Sequence, residues 1–521
     1  MEETFPLFSA VLLLLCGFLI ICLRRVWWKP ESCRIKLKEQ GITGPPPSMI
    51  LGNIPEMKRM VSQISETPKI DGCLTVLPYF QQWTKNYGKL FRFELGGIQL
   101  LYVSNLELVK EISRFRSLDL GKPAYLQNER GALLGKGLIT ANGAVWSHQR
   151  KTIAPQLGTE KVKDMVKLMV ESGDILVKTW EKIIDSEGED GIVEIMVDQH
   201  MRNFTSYIVS KVIFGNDHHK GIKIFPKCQA LINAMGVFLF FLFMHVMCAR
   251  MFIRPLVLFM NRFLPTKANR TAWKLSEKIH GMIMDISKER IGSTSKDMLQ
   301  VILEGAENGE LWPLTKDEFI ADNCKDIFFG GYEPPALAAI WGLMLLASHP
   351  EWQARARSEV LEVCEGQQIL DYNMLTKMKV LKMVIQEVLR LYPGVALASR
   401  HALQEVKIGN VQVPKGVGIW IFLLALHRDP ELWGPDADVF NPERFINGVT
   451  GACKSAQAYI PFGLGARICP GQNMAMMELT VLFALILSNF NISISPNYLH
   501  SPKFGLLLEP EHGVKLLVRK I

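Results

Sequence analysis

Apolar positions fall along this chain in three ways, and each predicts a different kind of element. Near the start, Phe5 to Leu23 runs without a charge and is rich in Leu, Ile and Phe. At about 1.5 Å per residue that run nearly crosses a hydrocarbon layer of roughly 30 Å. Glu2 and Glu3 precede it, and Arg24, Arg25 and Lys29 follow, with Trp27 and Trp28 among them. The charge bias and the aromatic pair predict one transmembrane helix with the rest of the chain on the cytosolic side. A cleaved secretory signal would carry its charges on the other flank. A second apolar stretch runs from Val237 to Met247 and on to Leu264-Pro265, interrupted by His245, Arg250 and Arg254. It reads either as a contact dipping into the membrane interface or as a buried core helix.

Elsewhere the pattern is periodic. Leu375, Met378, Leu381, Ile385, Val388 and Leu389 recur at helical spacing, which puts Glu387 and Arg390 on one face. An apolar helical run extends from Asp322 to Ala347. Two hairpins are predicted: Phe91–Leu95 and Ile98–Val103 around Gly96-Gly97, and Val406–Ile408 and Val411–Val413 around Gly409-Asn410. Gly44-Pro45-Pro46-Pro47 forms a stiff spacer. The expected division is residues 1–30 as anchor and flank, 31–50 as linker with a proline hinge, and 51–521 as one folded unit, because no Gly/Ser-rich linker or internal repeat interrupts the remainder.

Composition narrows the partners. With 521 residues, 48% hydrophobic and 21% charged, the chain has enough apolar material for one deep core and a membrane segment. The net charge of +8 contains no Lys/Arg block of the kind that binds nucleic acid, and it suits an anionic membrane surface or an acidic protein partner. The ten cysteines are scattered and form no C-x-x-C pair, as expected of reduced thiols facing the cytosol.

Candidate chemistry concentrates in Phe462-Gly463-Leu464-Gly465-Ala466-Arg467-Ile468-Cys469-Pro470-Gly471. Glycines let this backbone approach a flat cofactor, and its exposed amides are expected to donate to the Cys469 sulfur and lower the thiol pKa. A single soft anionic ligand with no second cysteine nearby suits haem iron better than zinc or an iron–sulfur cluster. The alternative is a buried cysteine in a Gly-rich turn.

This segment resembles the haem-binding pattern Phe-x-x-Gly-x-Arg-x-Cys-x-Gly of the cytochrome P450 family at every fixed position, and the likeness runs from the proline hinge to about residue 515. It implies a mainly α fold with a small β region, preceded by one transmembrane helix in the endoplasmic reticulum. It further implies haem (iron protoporphyrin IX) with Cys469 as axial ligand and Phe462 beside it, O2, NADPH–cytochrome reductase as electron donor and a lipophilic substrate. Trp146 and Arg150, which share a helix face, match family positions that hold the haem propionates, as do Arg400 and Arg467. Glu387, Arg390 and Arg444 match a buried structural triad, so that substitution is expected to abolish haem incorporation. Expected pocket residues are Leu133, Leu134, Phe329, Val395, Leu397 and Phe504 to Leu506.

One departure stands out. The family's central helix carries Ala/Gly-Gly-x-Asp/Glu-Thr-Thr, whereas here the run is Gly330-Gly331-Tyr332-Glu333-Pro334-Pro335. In the family the first Thr hydroxyl holds water beside the haem and relays protons with the acid. With Pro334 in its place, the expectation is a pronounced kink beside the haem, eased if the helix breaks at Gly330-Gly331 and restarts with Pro334 in its first turn, with Glu333 and ordered water carrying the protons. Phe263-Leu264-Pro265-Thr266-Lys267 and the chain's ending look most like the plant clan containing gibberellin-oxidising enzymes, which implies a terpenoid such as a diterpenoid. The lost threonine keeps a haem-thiolate isomerase or dehydratase in view, and a non-catalytic haem-binding sensor is a further alternative.

Overall fold

The structure is a computed structural model that describes residues 17, 29–48, 51–63, 77–188, 190–236, 267–290, 297–309, 311–364 and 370–521. Among them no helix is long and apolar enough to cross a membrane. The expected span over residues 5–23, apart from Gly17, and the apolar stretch at 237–264 lie outside the described residues.

Helices dominate, and twelve strands among the described residues form four small sheets. The largest sheet orders β1 (Leu90–Leu95), β2 (Ile98–Val103), β8 (Gly418–Phe422), β5 (Leu397–Ala402) and β3 (Leu120–Gly121). β1 and β2 are the hairpin expected around Gly96-Gly97, in register from Leu95 opposite Ile98 to Leu90 opposite Val103. β6 (Val406–Ile408) and β7 (Val411–Val413) are the second expected hairpin. A three-stranded sheet, β4 (Ile192–Met196), β12 (Lys515–Lys520) and β9 (Phe490–Ile494), brings the chain's end onto the helical body. β10 (Pro502–Phe504) pairs with β11 (Leu508–Pro510).

The segment read as a linker is docked rather than free-standing. It contains a helix, Lys29–Glu39, and Leu37 and Ile42 are buried in a core shared with β2 and β8. At Gly44 a Cβ would fall 1.8 Å from the Arg92 carbonyl oxygen, so only glycine lets the chain lie this close to β1.

The helix Lys316–Ser348 is the axis of the molecule. Thr315 and Glu318 form a capping box at its start, with Glu318 N donating to Thr315 Oγ1 at 3.1 Å and Thr315 N to Glu318 Oε2 at 3.0 Å. Its C-terminal part is apolar all round, as a helix enclosed by others must be, and Ala336 to Ala347 is buried throughout. It packs against the helices Asp198–Phe214 and Gln472–Asn489. The interruption expected at Gly330-Gly331 does not occur: the helix passes unbroken through Pro334 and Pro335. An interior proline costs about 3 kcal/mol, and the extensive burial of this helix offsets it. Thr205 Oγ1 donates to the Tyr332 carbonyl at 2.9 Å, and the Pro334 ring lies against Gly394, where a Cβ would come within 3.2 Å of Pro334 Cβ.

Candidate active site

Cys469 sits in a loop closed on itself. Its amide donates to the Phe462 carbonyl at 2.8 Å, and Gly463 and Gly465 adopt φ of +77° and +66°, which a side chain would strain. Gly465 also meets the backbone of Ser113, where a Cβ would fall 3.0 Å from the carbonyl oxygen. Burial pushes the Cys469 thiol above its ordinary pKa, against the opposing pull of the Gly471 amide and the Arg150 charge. The expected lowering is therefore not found in the protein alone, since two favourable interactions do not offset desolvation. A coordinating metal deprotonates such a thiol outright.

The loop is braced from behind. Arg390 and Glu387 are both 0% exposed and form a two-pronged pair, Nε to Oε2 at 2.6 Å and Nη2 to Oε1 at 2.8 Å. Arg444 Nε reaches Glu387 Oε1 at 3.4 Å, and its Nη2 binds Asp436 Oδ2 at 2.8 Å. The structure thus brings together the three residues that the motif predicts. A fourth member escaped the sequence: His427 Nδ1 lies 3.1 Å from the Arg390 carbonyl, and its Nε2 accepts from the Ile460 amide at 3.0 Å. The imidazole is the direct link between the pair and the base of the cysteine loop. Only chain reversal brings residue 427 there, so no local pattern marks it.

Above the sulfur opens a cavity of about 1210 Å³, walled mainly by apolar side chains. That exceeds the roughly 300–1,000 Å³ of a pocket for a drug-sized ligand, as a site for both porphyrin and substrate should. Trp146, Arg150, Arg400, Arg467, Phe462 and Cys469 all line it. Arg150 Nη1 donates to the Ile468 carbonyl at 2.6 Å, and Arg400 Nη2 to the Leu464 carbonyl at 3.0 Å. Arg467 lies over the Trp146 ring at 4.4 Å and donates to the Ala141 carbonyl at 2.9 Å. Lys122, not singled out by sequence, joins them on the cavity wall. Its burial and the charges of Arg400 and Arg467 push its pKa down; burial likewise lowers Arg400 to about 10 and Arg467 to about 9.

None of these four cations has a carboxylate partner among the described residues. Gathered positive charge without a counter-ion is costly to bury, and it fits a dianionic ligand such as haem, whose two propionates Lys122, Arg150, Arg400 and Arg467 would hold while Cys469 holds the iron. When bound, haem would supply dioxygen activation at iron; Cys469 would supply the sulfur, the four cations the charge that holds the porphyrin, and the apolar wall a dry surrounding.

Of the expected pocket residues, Leu134, Phe329, Val395, Leu397, Phe504, Gly505 and Leu506 line the cavity, whereas Leu133 points to a separate small void beside Cys228 and Phe328. Pro334 lines the cavity; Glu333 does not. Glu333 is 3% exposed and clasped by Arg202, Nη2 to Oε1 at 2.6 Å and Nε to Oε1 at 3.0 Å. The carboxylate expected to relay protons is thus turned onto the neighbouring helix Asp198–Phe214, because a buried charge takes the nearest cation. Glu478, another residue that the sequence reading missed, lines the cavity near the cysteine loop. Burial pushes its carboxyl pKa well above the usual range.

A lone cysteine in a glycine-bent loop facing a cation-rimmed apolar chamber fits a haem-thiolate oxygenase. The family model for cytochrome P450 matches residues 45–518, and the chain belongs to that family as a P450 monooxygenase of the plant type. It is similar to Cytochrome P450 714C2 of Oryza sativa subsp. japonica, 43% identical over 99% of this chain and 97% of that one. Cytochrome P450 714B3 of Zea mays is 40% identical over 97% and 94% of the two chains, and Cytochrome P450 714A2 of Arabidopsis thaliana 39% over 93% of each.

Proposed function

We propose that this P450 hydroxylates or epoxidises a terpenoid, such as a gibberellin-type diterpenoid, using O2 and electrons delivered from NADPH by a cytochrome reductase. The observation that carries the reading is the cavity itself: beyond the cation rim its wall is built from Leu134, Ile139, Phe329, Leu397, Phe504 and Leu506, which suits a rigid hydrocarbon body. Polar side chains set into that wall, among them Tyr125, Asp326 and Ser501, suit a substrate that also bears oxygens. Residues 1–30 act as an uncleaved single-pass anchor in the endoplasmic reticulum membrane, 31–50 lead away from it, and 51–521 face the cytosol as the catalytic unit. Support comes from the charge flanks of the run at 5–23. Cys469 serves as axial ligand, the four cations as propionate partners, and Glu387, Arg390 and Arg444 as the brace.

The test is product analysis by mass spectrometry in microsomes containing this chain and a reductase, offered a panel of diterpenoids and other terpenoids. The expected result is a product 16 mass units heavier than its substrate, formed only with both NADPH and O2. Rearranged products formed without reductant would instead assign an isomerase.

A further inference from the structure

In an α-helix the carbonyl of residue i accepts from the amide of residue i+4. The amides that would serve Gly330 and Gly331 belong to residues 334 and 335, both proline, and proline has no N–H to give. The helix nonetheless continues from Lys316 to Ser348, so these two carbonyls sit inside it without the i+4 amide that would ordinarily serve them. Gly330, Gly331, Pro334 and Pro335 all line the cavity that contains Cys469. A Cβ added at Gly330 would meet nothing within 4 Å, so the wall is open at that point.

The polar side chain that this helix gives the cavity is Asp326, one turn before Gly330, whose Oδ2 accepts from the Ile139 amide at 2.7 Å. From Ile327 to Ala338 the helix residues lining the cavity are Ile327, Phe329, the two glycines, the two prolines and Ala338. The acid in this stretch, Glu333, is held by Arg202 outside the cavity. No side chain among the described residues donates to Gly330 O or Gly331 O, although Thr205 does reach the next carbonyl, that of Tyr332. Gly330 is exposed to the cavity and Gly331 partly so, which leaves both carbonyls open to a donor from whatever fills it.

We propose that the carbonyl oxygens of Gly330 and Gly331, freed by Pro334 and Pro335, form an acceptor site on the distal wall that positions an O–H donor, either water or a substrate hydroxyl. A side-chain hydroxyl at position 334 would offer both a donor and an acceptor; this site offers acceptors alone, so whatever binds must bring its own proton. The inference does not depend on the substrate being a terpenoid.

Pro334→Ala and Pro335→Ala each return one amide without disturbing helix propensity, and the double variant returns both. High-resolution structures of the haem-loaded wild type and double variant are to be compared, each alone and with adamantan-1-ol or adamantane, whose affinities are read from Soret shifts. In the wild type an ordered water or the adamantanol hydroxyl should lie about 2.7–3.2 Å from one or both carbonyls, and it should be gone in the double variant. If the substrate hydroxyl is the donor, adamantanol loses about tenfold in affinity in the variant while adamantane is unchanged; if water is the donor, the water alone disappears. Neither group within hydrogen-bond distance in the wild type, or a water that persists in the double variant, overturns the proposal. Retained absorbance near 450 nm in the reduced carbon monoxide complex of each variant separates this outcome from any failure of the haem site.

Discussion

His427 shows how much can depend on one buried ring. Its Nε2 accepts from Ile460 at the base of the cysteine loop, so the ring must be neutral, and burial beside Arg390 lowers its pKa to about 3. In the unfolded chain the same group titrates near its ordinary value of 6.5. The folded pKa is the lower one, so the contribution to stability is complete above 6.5 and is lost as pH falls from there toward about 3. The loss reaches about 1.4 kcal/mol per pH unit for this group. Replacing His427 by Gln removes the titration. The advantage of wild type over His427→Gln in urea unfolding should therefore shrink as the pH is lowered from 6.5 to 4.5, and a pH-independent difference would contradict a buried neutral imidazole.

Among the elements, the central helix best separates what the sequence made legible from what it did not. The cysteine loop, the Glu387–Arg390 pair and both hairpins were readable because each is fixed by residues within a few positions of one another. The unbroken course through Pro334 and Pro335 was not, because it depends on Val209, Thr205 and Gly394 packing in from distant segments. The same reason hid Lys122, His427 and the Arg202 partner of Glu333, all of which meet their sites only after chain reversal. Arg202 makes a measurable case: Arg202→Met strands a buried carboxylate and should cost about 3–5 kcal/mol, seen as a lower thermal midpoint. Arg202→Met with Glu333→Met should recover most of it. A double variant no more stable than the single one would show that the pair is not the interaction that matters.

For the whole molecule, the long apolar helix and the cysteine loop enclose one chamber from two sides, with cations gathered where a dianionic porphyrin would need them. Everything chemical, however, depends on sulfur from position 469 reaching iron. The most direct measurement is the absorbance of purified protein reduced with dithionite under carbon monoxide, for wild type and Cys469→Ser. A band near 450 nm in the wild type that is abolished by the substitution is the predicted result; no such band in the wild type, or one that survives in Cys469→Ser, would contradict it.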